Sequence, residues 1–135
     1  MSNIDLRILV ANDRIPVRRA TIDIMREEYP TAFFGETGSG KDALVMALGD
    51  DWDVAIVDTL LPDTSGIHVL RAIKAVKPGL PVILATMFAG PKSATWAAKA
   101  GASAYIAYHS GPEELLTALR AILPRDTSTR LDEAS

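Results

Sequence analysis

Cysteine is absent from this chain of 135 residues, which excludes a disulfide framework, a thiolate metal site and a cysteine nucleophile. Histidine occurs only twice, at His68 and His109, and neither has a partner at metal-ligand spacing. A zinc or copper centre is therefore a poor expectation. No apolar run reaches the roughly 18 residues that a membrane span needs, because Arg, Lys or Asp interrupts each one. The first residues, Met1 to Arg7, lack the basic and apolar regions of a signal peptide, so the cytoplasm is the expected location. A large excess of one charge is missing as well. Fourteen Lys and Arg against 17 Asp and Glu leave a net charge of −3, which argues against a stand-alone basic nucleic-acid binder.

What is present is ordinary globular material, 48% hydrophobic and 23% charged, enough for one domain. Short apolar runs alternate with helical patterns. Leu6–Ala11, Val54–Asp58, Val82–Thr86 and Ala104–Ala107 read as strands, and Ala32–Gly35 is a shorter, weaker candidate. Runs that are apolar on every side suggest strands covered on both faces, hence a parallel sheet. Between them, Val17–Tyr29, Lys41–Leu48, Gly66–Val76, Pro91–Ala100 and Pro112–Leu123 carry helical spacing. The last is the clearest, with Pro112 in the first turn, Glu113 and Glu114 near its positive end, and five aliphatic positions in a stripe. The pattern predicts an α/β domain, (βα) repeated five times, doubly wound around a five-stranded parallel sheet over residues 1–124. Residues 125–135 are polar and read as a tail or linker stump.

In such sheets the ligand site lies at the carboxyl ends of the strands. There the sequence places Asn12-Asp13, Asp58, Thr86 and Tyr108-His109. Two carboxylates, an amide, a hydroxyl and a phenol are hard oxygen donors of the kind that suits Mg²⁺.

Leu6–Asp13, Asp53–Gly66, Leu80–Thr86 and Ala100–Leu115 resemble the receiver domain of bacterial two-component response regulators, which has the flavodoxin-like fold. The most specific part is the D-x-x-x-P-x-x-S-G run from Asp58 to Gly66. Ala100 to Tyr105 leans towards the subclass with a LuxR-type DNA-binding output. The resemblance implies that Asp58 is the phosphoacceptor, charged from a histidine kinase or phosphotransfer protein. It implies that Asp13, Asp58 and the Leu60 backbone carbonyl ligate Mg²⁺. Thr86 matches the hydroxyl that hydrogen-bonds the phosphoryl group, and Tyr105 the aromatic that swings inward with it. A domain of this kind is no enzyme beyond slow loss of its own phosphoryl group.

Two positions depart from the family pattern. Asn12 stands where a second acid is usual, and can reach a metal only through water. Tyr108 stands in place of a Lys, and gives one neutral hydrogen bond where an ammonium has three donors and a charge. Weak Mg²⁺ binding and weak switching are the expectations. A second reading follows, a phosphorylation-independent interaction domain. The fourth and fifth helices form the face where a partner or a second copy is expected, as a weak homodimer; Trp52 and Trp96 are read as packing residues, although Trp96 falls on the fourth helix.

Gly35 to Lys41 also fits G-x-x-x-x-G-K, the phosphate-cradling P-loop of nucleotide hydrolases. Asp42 follows where that motif needs a hydroxyl for Mg²⁺, and a carboxylate there repels nucleotide phosphates. The run is better read as the turn into the second helix.

Overall fold

A computed structural model describes residues 5–87 and 90–123. Five strands alternate with five helices: β1 (Arg7–Ala11), α1 (Ile15–Glu28), β2 (Phe33–Thr37), α2 (Gly40–Gly49), β3 (Val54–Asp58), α3 (Gly66–Val76), β4 (Val82–Thr86), α4 (Pro91–Ala100), β5 (Ala104–Ala107) and α5 (Pro112–Ile122). The expected polar tail at 125–135 lies outside the described residues.

All strands are parallel, in the order β2-β1-β3-β4-β5. The chain leaves β1 towards one edge and returns to β3 on its other side, so strand order reverses between β1 and β3. Their register pairs Ala11 with Val57. The residues that follow, Asn12 and Asp58, are therefore neighbours at the reversal, where the helices diverge and leave a crevice.

β3 and β4 are buried along their full length. Leu9, Val57, Leu70, Ile73 and Leu84 centre the core under α2, α3 and α4. Ile8, Ile22, Met25, Ile56, Ile83, Leu115 and Leu119 centre the core under α1 and α5. Alternate residues of each central strand enter opposite cores, which is why those strands read as continuous apolar runs.

β2 runs from Phe33 to Thr37, two residues past the expected end at Gly35. It is an edge strand with alternating exposure, so its polar last residues, Glu36 and Thr37, break the apolar signal without breaking the pairing. α1 begins at Ile15, before the expected Val17, because Pro16 is tolerated in a first turn. The stripe on α5 faces the sheet. Leu115, Leu119 and Leu123 are buried, and Leu116 and Ile122 are half-buried against the same core. All five contact the core under α1 and α5.

The loop from β3 to α3 is fixed by its own backbone. Leu61 N–H donates to Thr64 O (3.1 Å) and Gly66 N–H to Thr59 O (2.8 Å), so residues 60 and 65 form an antiparallel bridge. Ser65 caps α3 by accepting from His68 N–H at 3.2 Å. A Cβ at Gly66 would collide with the Asp58 carbonyl. Gly66→Ala should therefore cost on the order of 2–3 kcal/mol, measured by urea unfolding, since backbone has to move to make room. Gly79→Ala, with open space around it, is the control and should change little.

Candidate functional site

Asp58 ends β3 and is only 2% exposed. Its Oδ1 accepts a 2.8 Å hydrogen bond from Leu60 N–H, which fixes the plane of the carboxylate. Its Oδ2 is buried and has no hydrogen-bond partner. The Arg14 guanidinium approaches that oxygen at 4.0 Å. Burial raises the Asp58 carboxyl above its ordinary value. The Leu60 amide, Arg14 and the nearby Tyr108 hydroxyl oppose the rise, and the Asp13 charge adds to it. Buried native carboxylates are normally satisfied, so an open oxygen here marks a site for chemistry rather than for packing.

The sequence-predicted residues converge on this carboxylate. Asn12 is buried beside it, and its N–H donates to Thr37 O at 3.0 Å. Its side-chain oxygen accepts from Arg14 N–H at 2.8 Å, and its Nδ2 donates to the Tyr108 hydroxyl at 2.9 Å. Those two partners orient the amide unambiguously. One lone pair of the Asn12 oxygen remains for a metal-bound water. Tyr108 opens a short 3₁₀ turn, Tyr108–Ser110, just after β5. The Glu114 carboxylate secures that strand end by accepting from Ala107 N–H at 2.9 Å. Burial, and then the Asp58 charge, pushes the Tyr108 phenol far up, so it stays protonated at any ordinary pH. The two departures from the family pattern are thus bonded to each other.

Thr86 is buried at the end of β4, paired in register with Ala107. Tyr105 is half-buried two residues earlier on β5 and packs with the core under α4. Odd and even positions alternate across the sheet, so Thr86 and Tyr105 lie on the same face. His68 and His109 are exposed, in keeping with surface roles.

Asp13 is exposed beside the crevice. Among the described residues no cluster of three or more His, Asp or Glu surrounds a common point. A divalent ion here has to rely on Asp13, Asp58 and a carbonyl. The carbonyl of Leu60 takes no part in the bridge with residue 65, whose bonds use Thr59 O and Leu61 N–H. An orphaned carboxylate oxygen, a second acid and a backbone carbonyl make a hard oxygen set that fits Mg²⁺.

Arg14 escaped the sequence reasoning. Its only signal is a base directly after Asn12-Asp13, and a surface base is the ordinary reading of such a residue. The P-loop-like run has a different fate. Gly35 lies inside β2 against Trp52, and a Cβ at Gly40 would collide with Thr64. The amides of Gly40 and Lys41 donate to the Asp63 carboxylate at 2.7 and 2.9 Å, and Ser39 caps α2 through Asp42 N–H. The helix terminus that a nucleotide phosphate needs is held by the chain's own acid.

The model of the family described as the response regulator receiver domain matches residues 8–120. The transcriptional regulatory protein YxjL of Bacillus subtilis is 28% identical over 121 residues, 90% of this chain and 56% of that protein. The probable transcriptional regulatory protein TcrX of Mycobacterium tuberculosis is 34% identical over 98 residues, 73% of this chain and 42% of its own length. A LuxR-family two-component response regulator from Aurantimonas sp. superposes with a TM-score of 0.82 at 28% identity, covering 88% of this chain and 85% of that one. The chain spans about half the length of the curated relatives it matches.

Two measurements test the site's energetics. A raised carboxyl binds protons more readily folded than unfolded, so ionised Asp58 lowers stability as pH rises through its window. In metal-free buffer Asp58→Asn should raise the melting temperature by a few degrees at pH 7. That gain should vanish as the pH falls below 3.8, the ordinary carboxyl value. A double-mutant cycle with Asn12→Ala and Tyr108→Phe should give a coupling of about 1 kcal/mol in urea unfolding.

Proposed function

This chain belongs to the response regulator receiver domain family, and on that premise we propose that Asp58 is its phosphoacceptor, charged by a sensor histidine kinase or a phosphotransfer protein. The observation that carries the reading is the Asp58 carboxylate, buried, oriented through Oδ1 and open at Oδ2. Oδ2 supplies the electron pair of the new O–P bond. The P–N bond of the donor phosphohistidine breaks, and its pair returns to the imidazole nitrogen. An acyl phosphate results.

Asp13, Asp58 and the Leu60 carbonyl are the groups to hold Mg²⁺, with Asn12 reaching it through water. When bound, the ion neutralises the oxygens of the transferring group. The Thr86 hydroxyl hydrogen-bonds the phosphoryl group, and Tyr105, on the same sheet face, turns inward as Thr86 moves. Tyr108 donates one neutral bond. Slow hydrolysis of its own acyl phosphate is the most chemistry the domain performs. Its setting is the cytoplasm, where a kinase and a DNA-binding output domain in a longer chain are the partners this reading names. Trp96, expected to pack, is instead 64% exposed on α4, and is the apolar contact on the α4–α5 face for a partner or a second copy.

The bond between Asn12 and Tyr108 favours a second reading, an interaction domain that works without phosphate. It ties the two departures to each other, so each would meet a phosphoryl group while already bonded to a neighbour. Incubation with acetyl phosphate and Mg²⁺, read by intact mass, separates the two. A single phosphoryl adduct, lost in Asp58→Asn, is the result expected. A folded sample without adduct leaves the interaction domain.

Restoring the acid and the base together should strengthen the response. Asn12→Asp with Tyr108→Lys should raise the adduct yield several-fold and enlarge the NMR shifts at Thr86 and Tyr105, because charge-assisted bonds are roughly twice as strong as neutral ones.

A further inference from the structure

The receiver reading needs a cation at Asp58, and the chain already carries one. Arg14 lies within 4.0 Å of the open Oδ2, and among the described residues its guanidinium has no other carboxylate in ion-pair reach. Neighbouring bases are engaged elsewhere: Arg18 binds Glu36 and the Asn12 carbonyl, and Arg19 binds Glu36. The backbone holds Arg14 in place. Its N–H donates to the Asn12 side chain, its carbonyl accepts from Arg18 N–H at 2.9 Å, and it is the N-cap residue of α1.

We propose that Arg14 is a tethered counter-cation that sets the affinity of the Asp13–Asp58 crevice for divalent ions by competing with them for the Asp58 carboxylate. The inference rests on the receiver reading for the identity of the ion, and on the ion pair for the competition. A guanidinium cannot lose its proton at any working pH, so its charge is permanent. The side chain is 44% exposed, and it can swing to solvent when an ion enters. Two cations that seek the same carboxylate repel each other until it does. Asn12 adds no charge to attract the ion, so the charge balance is decided by Arg14 against Asp13. Weak Mg²⁺ binding then has a second cause besides the missing acid. It is a built-in cation rather than only an absent anion.

The test is a titration of the full chain with MgCl₂ at constant ionic strength, followed by NMR shifts of the Asp58 and Leu60 amides. Arg14→Ala should tighten Mg²⁺ binding by roughly tenfold or more. Arg14→Lys, which keeps the charge, should stay much closer to wild type. Asp13→Ala should weaken binding, which locates the ion. Equal affinity in wild type and Arg14→Ala, or no binding in either, overturns the proposal. So does an Arg14→Lys variant as tight as Arg14→Ala. Phosphoryl transfer is scored separately with acetyl phosphate. An adduct without the tenfold effect defeats the Arg14 inference alone, whereas tighter Mg²⁺ binding without an adduct defeats the receiver chemistry alone.

Discussion

A carboxylate buried at the end of a fully covered strand, with one oxygen lacking a hydrogen bond, is the constraint on which the rest of the site depends. Burial disfavours its charge, and the surrounding chain relieves this only in part. Leu60 N–H satisfies Oδ1, while Arg14 sits at ion-pair distance from Oδ2 without bonding it. The loop that supplies the Leu60 amide is rigid because Gly66 lies against the Asp58 backbone and the 60–65 bridge closes it. The local structure thus holds an unfavourable group in a fixed attitude. Departures from full polar satisfaction of this kind collect where a protein does its work.

Topology makes the arrangement available. A parallel sheet that reverses strand order between β1 and β3 opens a crevice over two adjacent strand ends, and the register delivers Asn12 and Asp58 to it together. The same geometry explains why the glycine-rich turn before α2 is not a phosphate cradle. That turn leads from an edge strand, away from the crevice, and Asp63 fills its amides. Both sites exploit one property of backbone amides, their affinity for anions. In one the anion is structural and satisfied, in the other it is left open.

The strands and helices were legible because their signals are local. β3, β4, β5, α3 and α4 run as the apolar patterning predicts, since strands covered on both faces and outer helices write different periods. β2 reads short in the sequence because an edge strand tolerates polar residues that a central one does not. At the site, Asn12, Asp13, Asp58, Thr86 and Tyr108 were legible from where the strands stop. Arg14 was not. Its role depends on a long side chain folding back over a neighbouring strand end, a contact that neither period nor spacing encodes. The pairing of Asn12 with Tyr108, 96 positions apart, was equally invisible. Each residue was noticed as a departure, and only the fold shows that they are one feature.

That coupling follows from charge balance. An acid and a Lys at these two positions together add no net charge beside Asp58, and an amide and a phenol also add none. Either exchange alone leaves an unbalanced charge next to a carboxylate that is already poorly solvated. Asp at position 12 facing Tyr108 would put a second buried anion beside Asp58, and raise the cost of ionising either. Lys at position 108 facing Asn12 would pair with Asp58 directly and tie up the oxygen that has to stay open. Removing one partner of a buried charged pair is more damaging than replacing both with neutral groups of fitting shape. The neutral pair is therefore a self-consistent alternative, and it leaves the remaining charge balance at the crevice to Asp13, Asp58 and Arg14. One cation against two carboxylates keeps the crevice anionic while placing its positive charge on a side chain 44% exposed to solvent.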